Sequence, residues 1–130
     1  MAQPAFGLLL QRLREERRLS LRELGQLGDV DHAYIYRLET GTKESPSDDV
    51  LGKLIRALKP PKREADMLRY LAKHTETDAA LVEEVLKDPT VTYEIFASVA
   101  GAAFRGTVRP DYRKLIERVR RILDEENRPQ

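Results

Sequence analysis

Apolar residues recur along this chain at intervals of three and four, in short blocks broken by Gly, Pro, Ser, Thr and Asp. That spacing is the signature of amphipathic helices. Phe6, Leu9, Leu10 and Leu13 form the first stripe and predict a helix over 5–18. Ser20 with Glu23 three residues on is a capping box, S-x-x-E, at the start of a second helix. There Leu21, Leu24 and Leu27 are expected to point inward, and Gly25 to sit where another backbone comes close. Gly28-Asp29 breaks this helix, because Gly, and less readily Asp, tolerates positive φ. Asp31 is placed to cap a third helix, Asp31–Thr40, with Ile35 and Leu38 inward, Val30 at its base and Gly41 as its stop.

Residues 42–46 read as a loop, after which Ser47 opens a fourth helix with Val50, Leu51, Leu54, Ile55 and Leu58 as its buried stripe. Pro60-Pro61 interrupts, and a fifth helix follows over about 62–74 with Ala65, Leu68, Leu71 and Ala72 apolar. The polar HTETD stretch, with Thr77 or Asp78 as a cap, is the expected boundary between two modules, 1–74 and 75–130. A sixth helix covers 78–87 through Leu81, Val82, Val85 and Leu86 and stops at Asp88-Pro89. Thr92 opens a seventh, with Ile95, Phe96, Val99 and Ala103. A link over 105–110 leads to the last helix, 111–126, whose stripe is Leu115, Ile116, Val119, Ile122 and Leu123. No strand alternation and no internal repeat is visible. The expected fold class is all-α.

Composition narrows the chemistry. With 130 residues, the chain is one domain or a compact pair. No cysteine is present, which excludes disulfides and thiolate metal sites. His32 and His74 lie far apart and form no zinc motif. There is no Gly-rich phosphate loop, nucleophile elbow or clustered set of His, Asp and Glu, so neither an enzyme nor a cofactor or metal is expected. No run approaches the ~20 apolar residues of a membrane span, and MAQPAFG has no signal-peptide pattern. A cytoplasmic protein with no membrane partner is the expectation. The net charge of +1 hides an asymmetry: residues 1–74 hold 14 basic against 11 acidic residues (+3), and residues 75–130 hold 9 against 11 (−2). A mildly basic front half suits a polyanion, though ordinary solvated helix faces explain it about as well.

Leu19-Ser20-Leu21-Arg22-Glu23-Leu24, Val30, Tyr34-Ile35, Arg37-Leu38-Glu39, Gly41, Pro46-Ser47 and the Leu54–Leu58 stripe agree in register with one family. Over roughly its first 60 residues the chain resembles the Xre/Cro-type helix-turn-helix repressors of phage and bacteria. It departs from them in having Gly28-Asp29 where Ala-Gly is usual, and Asp31 where Ser or Thr is common; both changes put acid close to the DNA surface. The resemblance implies that the third helix enters the major groove of double-stranded DNA, where base edges are distinguishable. His32, Ala33, Tyr34 and Arg37 are then expected at base edges, with Arg37 suited to guanine and Ala33 to a thymine methyl. Ser20, Arg22, Tyr36, Thr42 and Lys43 are expected at phosphates. The plainer alternatives stay open: Tyr34 or Tyr36 packs on the domain edge, or Arg37 pairs with Glu39 or a neighbouring acid. Glu39 itself reads as structural.

One recognition helix grips few base pairs, so such repressors normally dimerise on a two-fold operator. Phe96, Val99, Leu115, Ile116, Val119, Ile122 and Leu123 are the expected homodimer interface, with a purely internal core as the equal alternative. Within 81–123, the Asp88-Pro89-Thr90 break, Phe104-Arg105-Gly106 with Arg109-Pro110, and Arg120-Arg121-Ile122-Leu123 resemble the carboxy-terminal domain of DdrO-like and CapH-like regulators. The helix pattern and the polar boundary together lead us to expect a five-helix helix-turn-helix domain followed by a small three-helix dimerisation domain. The likeness implies a partner, a zinc metallopeptidase of the ImmA/IrrE type, cutting between Phe104 and Arg105 to destroy the dimer. The alternatives are that Arg105-Gly106 merely links two helices, and that the protein is an autoregulating antitoxin whose second half masks a toxin.

Overall fold

A computed structural model describes residues 3–41, 45–102 and 110–127. Every regular element among them is helical: α1 (Ala5–Glu16), α2 (Leu21–Gly28), α3 (His32–Thr40), α4 (Asp48–Leu58), α5 (Lys62–Lys73), α6 (Ala79–Lys87), α7 (Tyr93–Ala102) and α8 (Tyr112–Glu126). The fold is all-α, as the apolar periodicity predicts. The chain divides into two compact units, Met1–Ala79 and Ala80–Gln130. The polar stretch 74–78 therefore closes the first unit, and the division falls in the first turn of α6.

In the first unit α1 packs on α3 and α5, and α2 packs on α3 and α4. Leu10, Leu24, Ile35, Leu54 and Leu71 are among its fully buried side chains. Burying each such residue contributes about 2 kcal/mol. Gly7 permits the closest of these approaches. A Cβ there would overlap the main-chain carbonyl of Glu39 and lie 2.6 Å from that of Leu38, so any side chain would push α3 away from α1. α1 ends two residues before the predicted boundary, because Arg18 turns left-handed (φ 56°) to redirect the chain into α2.

One inward expectation is overturned. Leu27 is 61% exposed, while Leu24, Gly25 and Gly28 form the buried face of α2. Helical spacing explains it. Leu21, Leu24, Gly25 and Gly28 lie at i, i+3, i+4 and i+7 and define one face, and Leu27 falls one residue short of it. The two glycines carry no side chain, so counting leucines misplaces the centre of the face.

In the second unit α8 packs on α7, and Val85, Val91, Phe96, Val99 and Ile116 are buried. Thr92 caps α7 through the Ile95 amide, and Asp111 caps α8 through the Lys114 amide. The turn between α6 and α7 is tied to α8. Asp88 Oδ1 accepts from the Thr90 amide (2.9 Å) and hydroxyl (2.6 Å). Arg120 donates to Thr90 Oγ1 (3.0 Å) and to Asp88 Oδ2 (3.2 Å). The Thr90 hydroxyl and amide, with Arg120 adding to them, hold the Asp88 carboxyl below its ordinary range. Among the described residues, no helix is long and apolar enough to cross a membrane.

Candidate nucleic-acid interface

The segment from Ser20 to Gly41 is built from caps that the sequence carries in full. The Ser20 side chain accepts from the Glu23 amide (3.0 Å), and the Ser20 amide donates to Glu23 Oε1 (2.9 Å). Hydrogen bonding to the Glu23 carboxylate from the Ser20 backbone amide, and second from the Ser20 side chain, lowers the Glu23 pKa from its ordinary value. At the other end of α2 the left-handed position is taken by Asp29 (φ 56°), not by Gly28, which remains helical. Gly25 is where the turn folds back: a Cβ there would lie 2.6 Å from the Val30 carbonyl. The close approach is thus by the turn itself, where the residue type suggested a neighbouring backbone. Asp31 accepts from the Ala33 amide (3.0 Å) and starts α3.

What sets the orientation of α3 is a buried ion pair. Arg14 on α1 grips the Glu39 carboxylate at both oxygens (Nε–Oε2 2.8 Å, Nη2–Oε1 2.9 Å) and donates to the Leu19 carbonyl (2.9 Å). The Arg14 and Glu39 side chains are only 13% and 3% exposed. The Glu39 hydrogen bonds, opposed by burial, raise the arginine's pKa. A bidentate fork of this kind fixes angle as well as distance. It joins α1, the α1–α2 turn and the last turn of α3. Gln3 adds a bond from its amide to the Glu39 carbonyl (2.9 Å). Arg14 is thus the partner of Glu39 on both carboxylate oxygens.

With Ile35, Leu38 and Glu39 turned inward, the opposite face of α3 is settled by helical spacing. Ala33, Tyr36, Arg37 and Thr40, at i, i+3, i+4 and i+7, are all exposed. His32 is exposed at the amino-terminal end, with Nδ1 3.9 Å from Asp31 Oδ1. Tyr34 is half-buried at the edge of this face, and the Arg37 guanidinium lies over its ring, 5.5 Å from the centroid. Ser20 and Arg22 are exposed at the start of α2. Thr42 and Lys43 lie outside the described residues, as do Phe104 and Arg105. Lys53 of α4 reaches the turn, with Nζ 3.7 Å from Asp29 Oδ2 and 3.6 Å from Asp49 Oδ2.

Sequence reasoning missed the Arg14–Glu39 brace and the outward position of Thr40. The brace left a signal: Glu39 stands four residues after Ile35 and one after Leu38, inside the apolar stripe, where a carboxylate needs a cation. The residues expected at an interface between copies are divided. Phe96, Val99 and Ile116 are buried in the chain itself, Leu115, Val119 and Leu123 are half-buried, and Ile122 is exposed.

Two short helices joined by a three-residue turn, the second presenting an exposed polar and aromatic face, define a helix-turn-helix unit. Residues 5–68, which include this segment, match the model of a family described as a helix-turn-helix domain. The chain is also similar to the HTH-type transcriptional repressor RghR of Bacillus subtilis (strain 168), with 40% identity over 57 residues. That alignment covers 44% of this chain and 42% of the relative, so the chain spans less than half the length of the curated relative it matches. No solved structure gives a significant match.

Proposed function

We propose that the protein is a DNA-binding transcriptional repressor, acting in the cytoplasm as a homodimer on a palindromic operator, with no enzymatic activity of its own. The observation that carries the reading is the outward face of α3, held by the Arg14–Glu39 fork and free of core duties. Ala33 and Arg37, with His32 and Tyr34 towards the amino-terminal end, meet base edges; Ser20, Arg22, Tyr36, Thr42 and Lys43 meet phosphates. The match of residues 5–68 and the printed name of the relative support it. A gel shift on the protein's own upstream DNA tests it. Log affinity should fall linearly with log salt, with a slope of about −0.9 per phosphate contact. Arg37→Ala should cost about 1–3 kcal/mol on the operator and little on unrelated DNA. Absence of binding at low salt would overturn the reading.

The switch completes the proposal. The first unit is the DNA-binding domain of five helices, and the second is a three-helix dimerisation domain. A metallopeptidase of the ImmA/IrrE type cuts between Phe104 and Arg105. The resemblance over 81–123 supports this, and the physics is simple: the cut separates α8 from α6 and α7. At about 25 cal/mol per Å2, losing the apolar face of a helix removes several kcal/mol. Replacing Phe104 and Arg105 should abolish cleavage by the cognate peptidase; unchanged cleavage would sink this part.

A further inference from the structure

α8 is the one described helix on which apolar exposure and segregated charge coincide. Its buried side, Tyr112 and Ile116, is used within the second unit. Beside it runs a second stripe, Leu115, Val119 and Ile122, at i, i+4 and i+7; the first two are half-buried and Ile122 is 49% exposed. A shallow groove meets this stripe at Ile122 and is lined by Asp111 and by α8 residues, among them Lys114, Arg118, Arg121 and Glu125. Arg120 is spent on Asp88 and Thr90. The side chains of Arg113, Lys114, Arg118, Arg121, Asp124 and Glu125 have no ion-pair partner among the described residues. Charge along the helix is sorted. Arg113, Lys114, Arg118 and Arg121 occupy its first ten residues against the single acid Glu117, whereas Asp124, Glu125 and Glu126 close it.

We propose that α8 pairs with α8 of a second copy in antiparallel orientation, about a two-fold axis near Arg118 and Val119. This rests on the homodimer reading above and gives it a geometry. An axis there sets Leu115 against Ile122 of the second copy. It also brings Lys114 of each helix, on the flank of the stripe, beside Glu125 of the other. Parallel pairing would instead hold Lys114 about 16 Å along the axis from Glu125 of the second copy, at a rise of 1.5 Å per residue, and lose this pairing. The arrangement is isologous and closed, so it stops at two copies.

The absence of cysteine gives the test a clean background. Arg118→Cys and Glu125→Cys are made separately in the full chain and oxidised mildly, with sedimentation reporting the oligomeric state. Antiparallel pairing brings position 118 close to its own copy and separates the two 125 positions by about 20 Å along the axis, from a rise of 1.5 Å per residue. A disulfide needs Cα atoms within about 7 Å. Rapid crosslinking of Arg118→Cys with none of Glu125→Cys is the expected result. Crosslinking of both, or of Glu125→Cys alone, in a dimeric protein overturns the antiparallel geometry and leaves the homodimer standing. A monomer at all concentrations overturns both. As a second arm, Glu125→Lys should weaken the dimer roughly tenfold, and adding Lys114→Glu should restore it. Failure of the double swap to restore pairing counts against the proposal.

Discussion

α3 and α8 are both amphipathic helices with arginines, and they use charge in opposite ways. In α3 the one buried charge, Glu39, is consumed by Arg14 at both oxygens, and the outward face keeps only Arg37 as a cation, set over the Tyr34 ring. In α8, among the described residues, Arg120 is the one cation paired internally, and the remaining charges are sorted by sign along a helix that also exposes Ile122. The first arrangement suits a helix that must hold a fixed angle to a rigid template. The second suits a helix whose template is itself. A buried, bidentate pair gives orientation at a desolvation cost, whereas an exposed sorted pattern gives orientation only when a partner arrives.

The contrast breaks first at the brace. Arg14→Ala or Glu39→Ala leaves a buried charge unpaired and should cost about 3–5 kcal/mol in chemical denaturation. Replacing both at once, Arg14→Met with Glu39→Leu, should recover most of that stability while loosening the angle of α3, so that operator affinity stays below wild type. Equal DNA affinity in the double variant would remove the orienting role from the pair.

On α8, Ile122→Asp should behave in reverse. It should raise the dimer dissociation constant at least about tenfold, or 1.4 kcal/mol, yet change the stability of the dilute monomer by no more than about 0.5 kcal/mol, as expected of a surface position. Sedimentation and thermal melts at low concentration separate the two effects. A large monomer loss with unchanged association would make Ile122 a core residue.

Smaller effects sharpen the picture at the helix ends. Asp29 holds a left-handed position at which Gly is strain-free, so Asp29→Gly should stabilise the first unit by up to about 1 kcal/mol. By removing an acid near the turn it should also tighten DNA binding at low salt more than at high salt. The Glu23 carboxyl is held below its ordinary 4.5 by Ser20. A depressed folded-state value means that its contribution is fully present above about pH 4.5 and is lost as pH falls through the folded value. Acid titration of Ser20→Ala should therefore show a shallower loss of stability in that window than wild type.

How much of this was legible beforehand follows from what each feature depends on. Ser20–Glu23, Asp31, Ser47 and Thr92 act on amides two or three residues away, and local spacing is enough to find them. The apolar stripes placed eight helices, because periodicity is also local. What stayed hidden depends on distant partners. Arg14 and Glu39 are 25 residues apart, and Arg120 and Asp88 are 32 apart, so no window of helical spacing pairs them. Leu27 misled because Gly25 and Gly28, invisible to a hydrophobic count, carry the buried face of α2. Phe96 and Val99 share their spacing with an interface stripe, and only burial shows that the chain uses them itself. The residues proposed for base edges and phosphates were legible only through a resemblance, and the exposed face of α3 is what gives that resemblance a surface.

The most direct measurement is a hydroxyl-radical footprint of the full chain on its own upstream DNA. A two-fold protein whose α3 helices enter the major groove should protect two half-sites related by symmetry. Their centres should lie about 34 Å apart, one helical turn, or a multiple of it, and Arg37→Ala should erase both together. Uniform protection without half-sites, or a pattern indifferent to Arg37, would contradict a groove-reading α3.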